Sequence, residues 1–156
     1  MRPWDQRVLA ELCALLPSEQ TEAAWDYWQH GEAGLAFETA LDALSDEHRP
    51  IAAELRRRVA TTARHSERAL DCLRFCPDPS QPRWRVVEET EVPLPGPDDV
   101  AWLACNRCPE VLFRFDSYAA SMGKVPYRCG IIGQDGHVTV FAGAVAALDH
   151  LERCWP

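Results

Sequence analysis

Lysine is almost missing from this chain: one Lys stands against fifteen Arg, and the 24 acidic residues outnumber the 16 basic ones, giving a net charge of −8. That surplus argues against general affinity for DNA, RNA or anionic lipid, whose phosphates it would repel. No apolar run approaches the roughly 18 residues of a membrane-spanning helix, and the opening Met1-Arg-Pro-Trp-Asp-Gln-Arg leads into no apolar signal core. A cytoplasmic protein without a membrane or nucleic-acid partner is therefore expected. Catalytic signatures are missing too: there is no Gly-x-Ser-x-Gly, no His-Glu-x-x-His and no Gly-rich phosphate cradle, and His30, His48, His65, His137 and His150 are scattered. Ser117, Ser121 and Lys124 form no established nucleophile arrangement. The chain does not read as an enzyme.

What is present suffices for a core: 156 residues with 47% apolar and 26% charged side chains form one domain or two small ones. Pro77, Pro79 and Pro82 divide the chain, because proline removes backbone donors and disfavours continued helix. The expected fold class is α+β: a helical bundle over 1–76, a Pro-rich linker over 77–98 and a small α+β module over 99–156. In the first part Val8, Leu9, Leu12, Leu15 and Leu16 recur at three- and four-residue spacing in a helix over about 4–16. A second helix follows with Ser18 as N-cap and Gly31 as its stop, and a third spans about 33–45. A fourth runs from Pro50 to about Cys76, with Thr61-Thr62 as a possible break. After Cys76 the period changes: Trp84, Val86 and Val87 alternate loosely with charged residues, 100–104 and 111–115 are β-rich runs, Ile131-Ile132 and 137–141 flank Gln134-Asp135-Gly136 as the strands of a hairpin, and 144–154 reads as a closing helix.

Charge is distributed unevenly. Between positions 11 and 47 there are nine carboxylates and no Lys or Arg. Glu19, Glu22 and Asp26 share one helical face, as do Glu38 and Asp42, and like charges at that spacing cost a few tenths of a kcal/mol. A solvated face is one explanation. The other is a docking face for a basic protein, built from Glu19, Glu22, Asp26, Glu32, Glu38, Asp42, Asp46 and Glu47, since concentrated negative potential accelerates encounter. Trp25, Tyr27 and Trp28 crowd the same region. Positions 25 and 28 share a face from which Tyr27 turns away.

Over roughly the first 60 residues, Leu16-Pro-Ser-Glu-Gln followed by Ala24-Trp-Asp-Tyr-Trp-Gln-His-Gly-Glu-Ala-Gly-Leu-Ala-Phe-Glu resembles the helix–Gly-Glu–helix segment of MafI-family immunity proteins. The core of the likeness is His30-Gly31-Glu32 with Gly34-Leu35-Ala36 and Glu38, and nothing after Cys76 is covered. The resemblance implies a bacterial antidote that binds a cognate toxin, often a nuclease. It does not identify the binding surface.

Seven cysteines in a chain without a secretion signal suit buried thiols or a metal better than a disulfide framework. Cys105-Asn-Arg-Cys108 offers two thiols on one turn for a tetrahedral Zn²⁺, with Cys129 as third ligand and His137 or Cys154 as fourth. Cofactors are otherwise not expected. A zinc-binding interaction module organised by Cys105, Cys108 and Cys129 is thus the alternative to a toxin inhibitor. A redox turn is the third possibility, weakened by Pro109-Glu110 and the strand-like 111–115, which displace the helix N-terminus that would activate a thiol.

Overall fold

The computed structural model describes residues 4–115, 122 and 128–156; Ser117, Ser121 and Lys124 lie outside them. The chain is α+β and separates into two compact units, Met1–Gln81 and Pro82–Pro156.

The first unit is helical: α1 (Gln6–Cys13), α2 (Ser18–Gln29), α3 (Ala33–Asp46), α4 (Ala53–Thr62) and α5 (Glu67–Arg74). Asp5 caps α1 by accepting from the Arg7 N–H at 2.9 Å, and Thr21 donates to the Cys13 carbonyl at 3.0 Å, fixing α2 against the end of α1. Helix α2 begins one residue earlier than its cap suggests. Pro17 holds the N-cap position and Ser18 is already helical. At its other end Gly31 takes φ +80°, and the Glu32 and Gly31 N–H groups donate to the Tyr27 and Trp28 carbonyls at 2.9 and 3.1 Å. These two bonds make a Schellman stop, for which glycine is suited because it has no Cβ to clash. Helix α3 ends the same way through Arg49 to Leu44 and His48 to Ser45, but with His48 in the left-handed region at φ 49°. A bond of 2.9 Å between His48 Nδ1 and the Phe75 carbonyl holds that conformation.

The stretch from Pro50 to Cys76 is two helices, α4 ending at Thr62 within the Thr61-Thr62 pair named as its break. Ser66 interrupts it by accepting from the Ala69 N–H at 3.1 Å as the N-cap of α5, while its hydroxyl donates to Glu38 at 2.8 Å. The stripes of α1 and α3 meet in one core with Leu9, Leu12, Phe37, Leu41 and Leu44 fully buried. Each such side chain contributes about 1.5–3 kcal/mol relative to exposure.

The second unit is a five-stranded antiparallel meander in the order β1 (Trp84–Val86), β2 (Val100–Cys105), β3 (Val111–Arg114), β4 (Cys129–Ile132), β5 (Val138–Phe141), followed by α6 (Ala144–Leu151) and a 3₁₀ turn, Glu152–Cys154. Strand β1 forms where Trp84 and Val86 alternate with charged residues, and it shortens the linker bounded at 77–98, from which Val87, Val92 and Leu94 also pack on the sheet. Alternation along β3 and β4 sends Val111, Phe113 and Ile132 to the face covered by these residues. Leu112 and Ile131 therefore face the other side. Helix α6 packs on β3, β4 and β5 and buries Ala147, Leu148 and Leu151. Gly130 makes room for a ring: a Cβ there would lie 2.5 Å from Phe113 Cζ.

Candidate functional site

Two groupings of side chains stand out, one in each unit. In the first unit Glu38, Asp42 and Asp46 succeed one another at four-residue spacing along α3, so they form one stripe, and Glu47 continues it. With Gln20 and Tyr27 of α2, Leu35 and Thr39 of α3 and Arg68 of α5, they line a groove of about 570 Å³. Tyr27 and Leu35 are 40% and 42% exposed there, whereas Trp25 and Trp28 pack against the core. The sequence placed Tyr27 on the other face from the tryptophans; the groove gives that face a use. Asp46 and Glu47 sit at the C-terminal end of α3, where the helix dipole opposes negative charge by about 0.3–1 kcal/mol. Glu47 is offset there by Arg49 at 2.8 Å, whereas Asp46 has no ion-pair partner among the described residues.

The remaining carboxylates of the expected docking face, Glu19, Glu22, Asp26 and Glu32, are exposed but do not line the groove. Asp26 faces His30 Nδ1 at 3.6 Å. Part of the local charge imbalance is offset from beyond residue 47. Arg49 meets Glu47 at 2.8 Å, Arg68 meets Asp42 at 3.5 Å, and Arg58 grips Glu11 through two bonds of 2.7 and 2.5 Å. The paired hydrogen bonds from Arg58 hold the Glu11 carboxyl below the usual carboxylate range. Glu19, Glu22, Glu32 and Asp46 have no ion-pair partner among the described residues.

In the second unit, Cys105 ends β2 and Cys108 stands in the turn before β3, with the Cys105 N–H donating to the Glu110 carbonyl at 3.1 Å to close the hairpin. The Arg107 N–H points at Cys105 Sγ from 3.4 Å. Burial raises the Cys105 thiol, but the N–H groups of Arg107 and Cys108 outweigh it, and the thiol lies below its ordinary value. Cys108, penalised by burial and by the neighbouring sulfurs of Cys154 and Cys105, is pushed up to about 12. The C-terminal segment reaches this turn because Trp155 Nε1 donates to the Arg83 carbonyl at 3.1 Å, while Arg107 donates to the Cys154 carbonyl at 3.1 Å and lies over the Trp155 ring. These bonds bring in the third sulfur. Among the described residues, Cys105, Cys108 and Cys154 are the group of metal-ligating side chains whose donor atoms converge, all within 4.8 Å of one another. They are free thiols and could hold a metal.

Cys154 thus takes the place expected for Cys129. Cys129 is buried in β4 opposite Arg114 and Phe141, where desolvation raises its thiol, and it is not in the group. His137 lines a separate cavity of about 210 Å³ with Glu110, Asp135, Thr139, His150 and Arg153. The pair Cys105–Cys108 sits on a β-hairpin tip rather than at a helix N-terminus, so the dipole that activates redox cysteines is not provided here. Sequence reasoning did not find Arg68, Leu35 or Gln20 in the groove, nor Glu110 beside the thiols. No helix of the described residues is long and apolar enough to cross a membrane. Compared with family models, curated proteins and solved structures, the chain matches none.

Proposed function

We propose that this chain is an immunity protein that captures a cognate bacterial toxin, a nuclease being the class that best fits, and blocks it stoichiometrically in the cytoplasm without chemistry of its own. The observation that carries the reading is the convergence of Glu38, Asp42, Asp46 and Glu47 on one groove beside exposed Tyr27 and Leu35. An enzyme that handles polyanionic nucleic acid presents a cationic surface, and a row of carboxylates complements it. The tyrosine and leucine supply the apolar contact that charge alone lacks. The likeness of the His30-Gly31-Glu32 hairpin to MafI-family proteins supports the same reading, since that hairpin joins the helices which form the groove. The test is to mix the full chain with the toxin encoded beside its gene and follow complex formation at low and high salt. A salt-sensitive complex that silences the toxin is expected; no complex at either salt overturns the reading.

The three sulfurs support a second reading, a zinc-binding interaction module in which the ion organises the second unit. Three thiolates are a soft donor set that favours zinc over magnesium or calcium. About one equivalent of zinc in purified protein, with loss of stability on chelation, is the expected result. Metal-free protein of unchanged stability contradicts it.

A further inference from the structure

The zinc reading leaves one coordination position to fill, and the carboxylate of Glu110 already touches one of the three thiols. The Cys108 thiol donates to Glu110 Oε2 at 3.8 Å. The carboxylate's other oxygen, Oε1, accepts from Arg153 and faces His150 Nε2 at 3.9 Å. Around tetrahedral zinc, with Zn–S about 2.3 Å and Zn–O about 2.0–2.2 Å, donor atoms stand roughly 3.5–3.8 Å apart. The separation of Oε2 from the Cys108 sulfur falls at that spacing; Glu110 stands outside the 4.8 Å group of sulfurs, so on binding its carboxylate must turn toward Cys105 and Cys154 while the sulfurs close by about 1 Å.

Resting on the reading of the three thiols as a zinc site, we propose that Glu110 is the fourth ligand, completing a Cys105, Cys108, Cys154 and Glu110 sphere that pins the C-terminal turn to the β2–β3 hairpin. The second oxygen of a metal-bound carboxylate is ordinarily held by hydrogen bonds, and Arg153 already donates one to Oε1. Charge supports the assignment. Three thiolates, one carboxylate and Zn²⁺ carry a net charge of −2, and Arg153 on Glu110 and Arg107 on the Cys154 carbonyl offset it. Binding releases the thiol protons to solvent. The site is closed, without the open position of a catalytic zinc. His137, turned into the cavity with Asp135, is not required.

The experiment titrates cobalt(II), then zinc in competition with a chelator, into the reduced full-length chain and into Glu110→Gln, Arg153→Ala and Cys154→Ser. The wild type is expected to bind one ion with thiolate-to-cobalt charge-transfer absorption and the strong visible bands of a tetrahedral site. Cys154→Ser loses about a third of the charge-transfer intensity. Glu110→Gln keeps that intensity, changes the visible bands and binds about 10- to 100-fold more weakly. Arg153→Ala, which keeps the donor oxygen, leaves the bands in place. Wild-type bands and affinity in Glu110→Gln, or the same band change in Arg153→Ala, overturn Glu110 as a ligand while leaving the zinc reading intact. Absence of binding by the wild type, or an unchanged charge-transfer intensity in Cys154→Ser, overturns the zinc reading itself.

Discussion

Arg68 of α5 holds its Nη2 3.5 Å from Asp42 Oδ1, setting a cation among the four carboxylates of the α2–α3 groove. Both side chains are largely in water, 66% and 49% exposed, so the pair contributes about 0–1 kcal/mol and yields readily to an incoming guanidinium. Removing Arg68 therefore deepens the negative potential at little cost to folding. Arg68→Ala is expected to speed association with a basic partner several-fold at low salt, with the gain fading as salt rises, in stopped-flow measurements. Slower association would mean that Arg68 itself contacts the partner.

Asp46 opposes the dipole of α3 and repels Asp42 four residues before it. Asp46→Lys should raise the stability of the helical unit by about 0.3–1 kcal/mol in urea unfolding while weakening partner binding. A stabilised but binding-defective variant is the signature of a residue kept for contact. Equal binding would place Asp46 outside the interface.

Cys76 is fully buried, and desolvation pushes its thiol up to about 12 from an ordinary value of 9.0; burial also raises Cys13 and Cys72. A group whose folded value exceeds its unfolded one stabilises the fold fully below the unfolded value and loses that contribution as pH rises toward the folded one. The helical unit is accordingly expected to lose stability from about pH 9 toward 12, with Cys76 alone giving a slope of about 1.4 kcal/mol per pH unit. Urea midpoints across that range measure it, and Cys76→Ala should flatten the slope. A slope unchanged in the variant contradicts the assignment.

Phe113 is fully buried and lies opposite Gly130 across the β3–β4 ladder, its ring 4.9 Å from that of Phe115. The methyl of Gly130→Ala would enter the space the ring occupies, so the second unit should lose about 1–3 kcal/mol, read as a lower melting temperature of the sheet's near-UV signal. No loss would mean that the ring moves freely.

The helical hairpin was legible because Gly31 and the apolar spacing are local signals, and the strands were legible from their β-branched runs and Asp135-Gly136. Local signals failed where a distant partner decides. The break at Thr61-Thr62 was signalled locally, but what fixes the start of α5 is Ser66 held by Glu38, 28 residues away, which no local spacing shows. His48 adopts a conformation usual for glycine because the Phe75 carbonyl holds it, which no spacing foretells. Arg58 offsets Glu11 across 47 positions. Cys154 displaces Cys129 from the thiol group because Trp155 and Arg107 fasten the C-terminal turn to the hairpin, whereas Cys129 follows the pleat of β4 into the core.

The most direct measurement is the affinity of the full chain for the neighbouring toxin as a function of salt, by calorimetry, for the wild type and for the triple variant Asp42→Asn, Asp46→Asn, Glu47→Gln. These changes remove charge while leaving Glu38 to support Ser66. Wild-type affinity should fall steadily with salt, and the triple variant should bind at least about tenfold more weakly, a loss of about 1.4 kcal/mol or more, with a shallower salt dependence. Binding of the triple variant at wild-type strength and salt dependence would contradict capture through this groove.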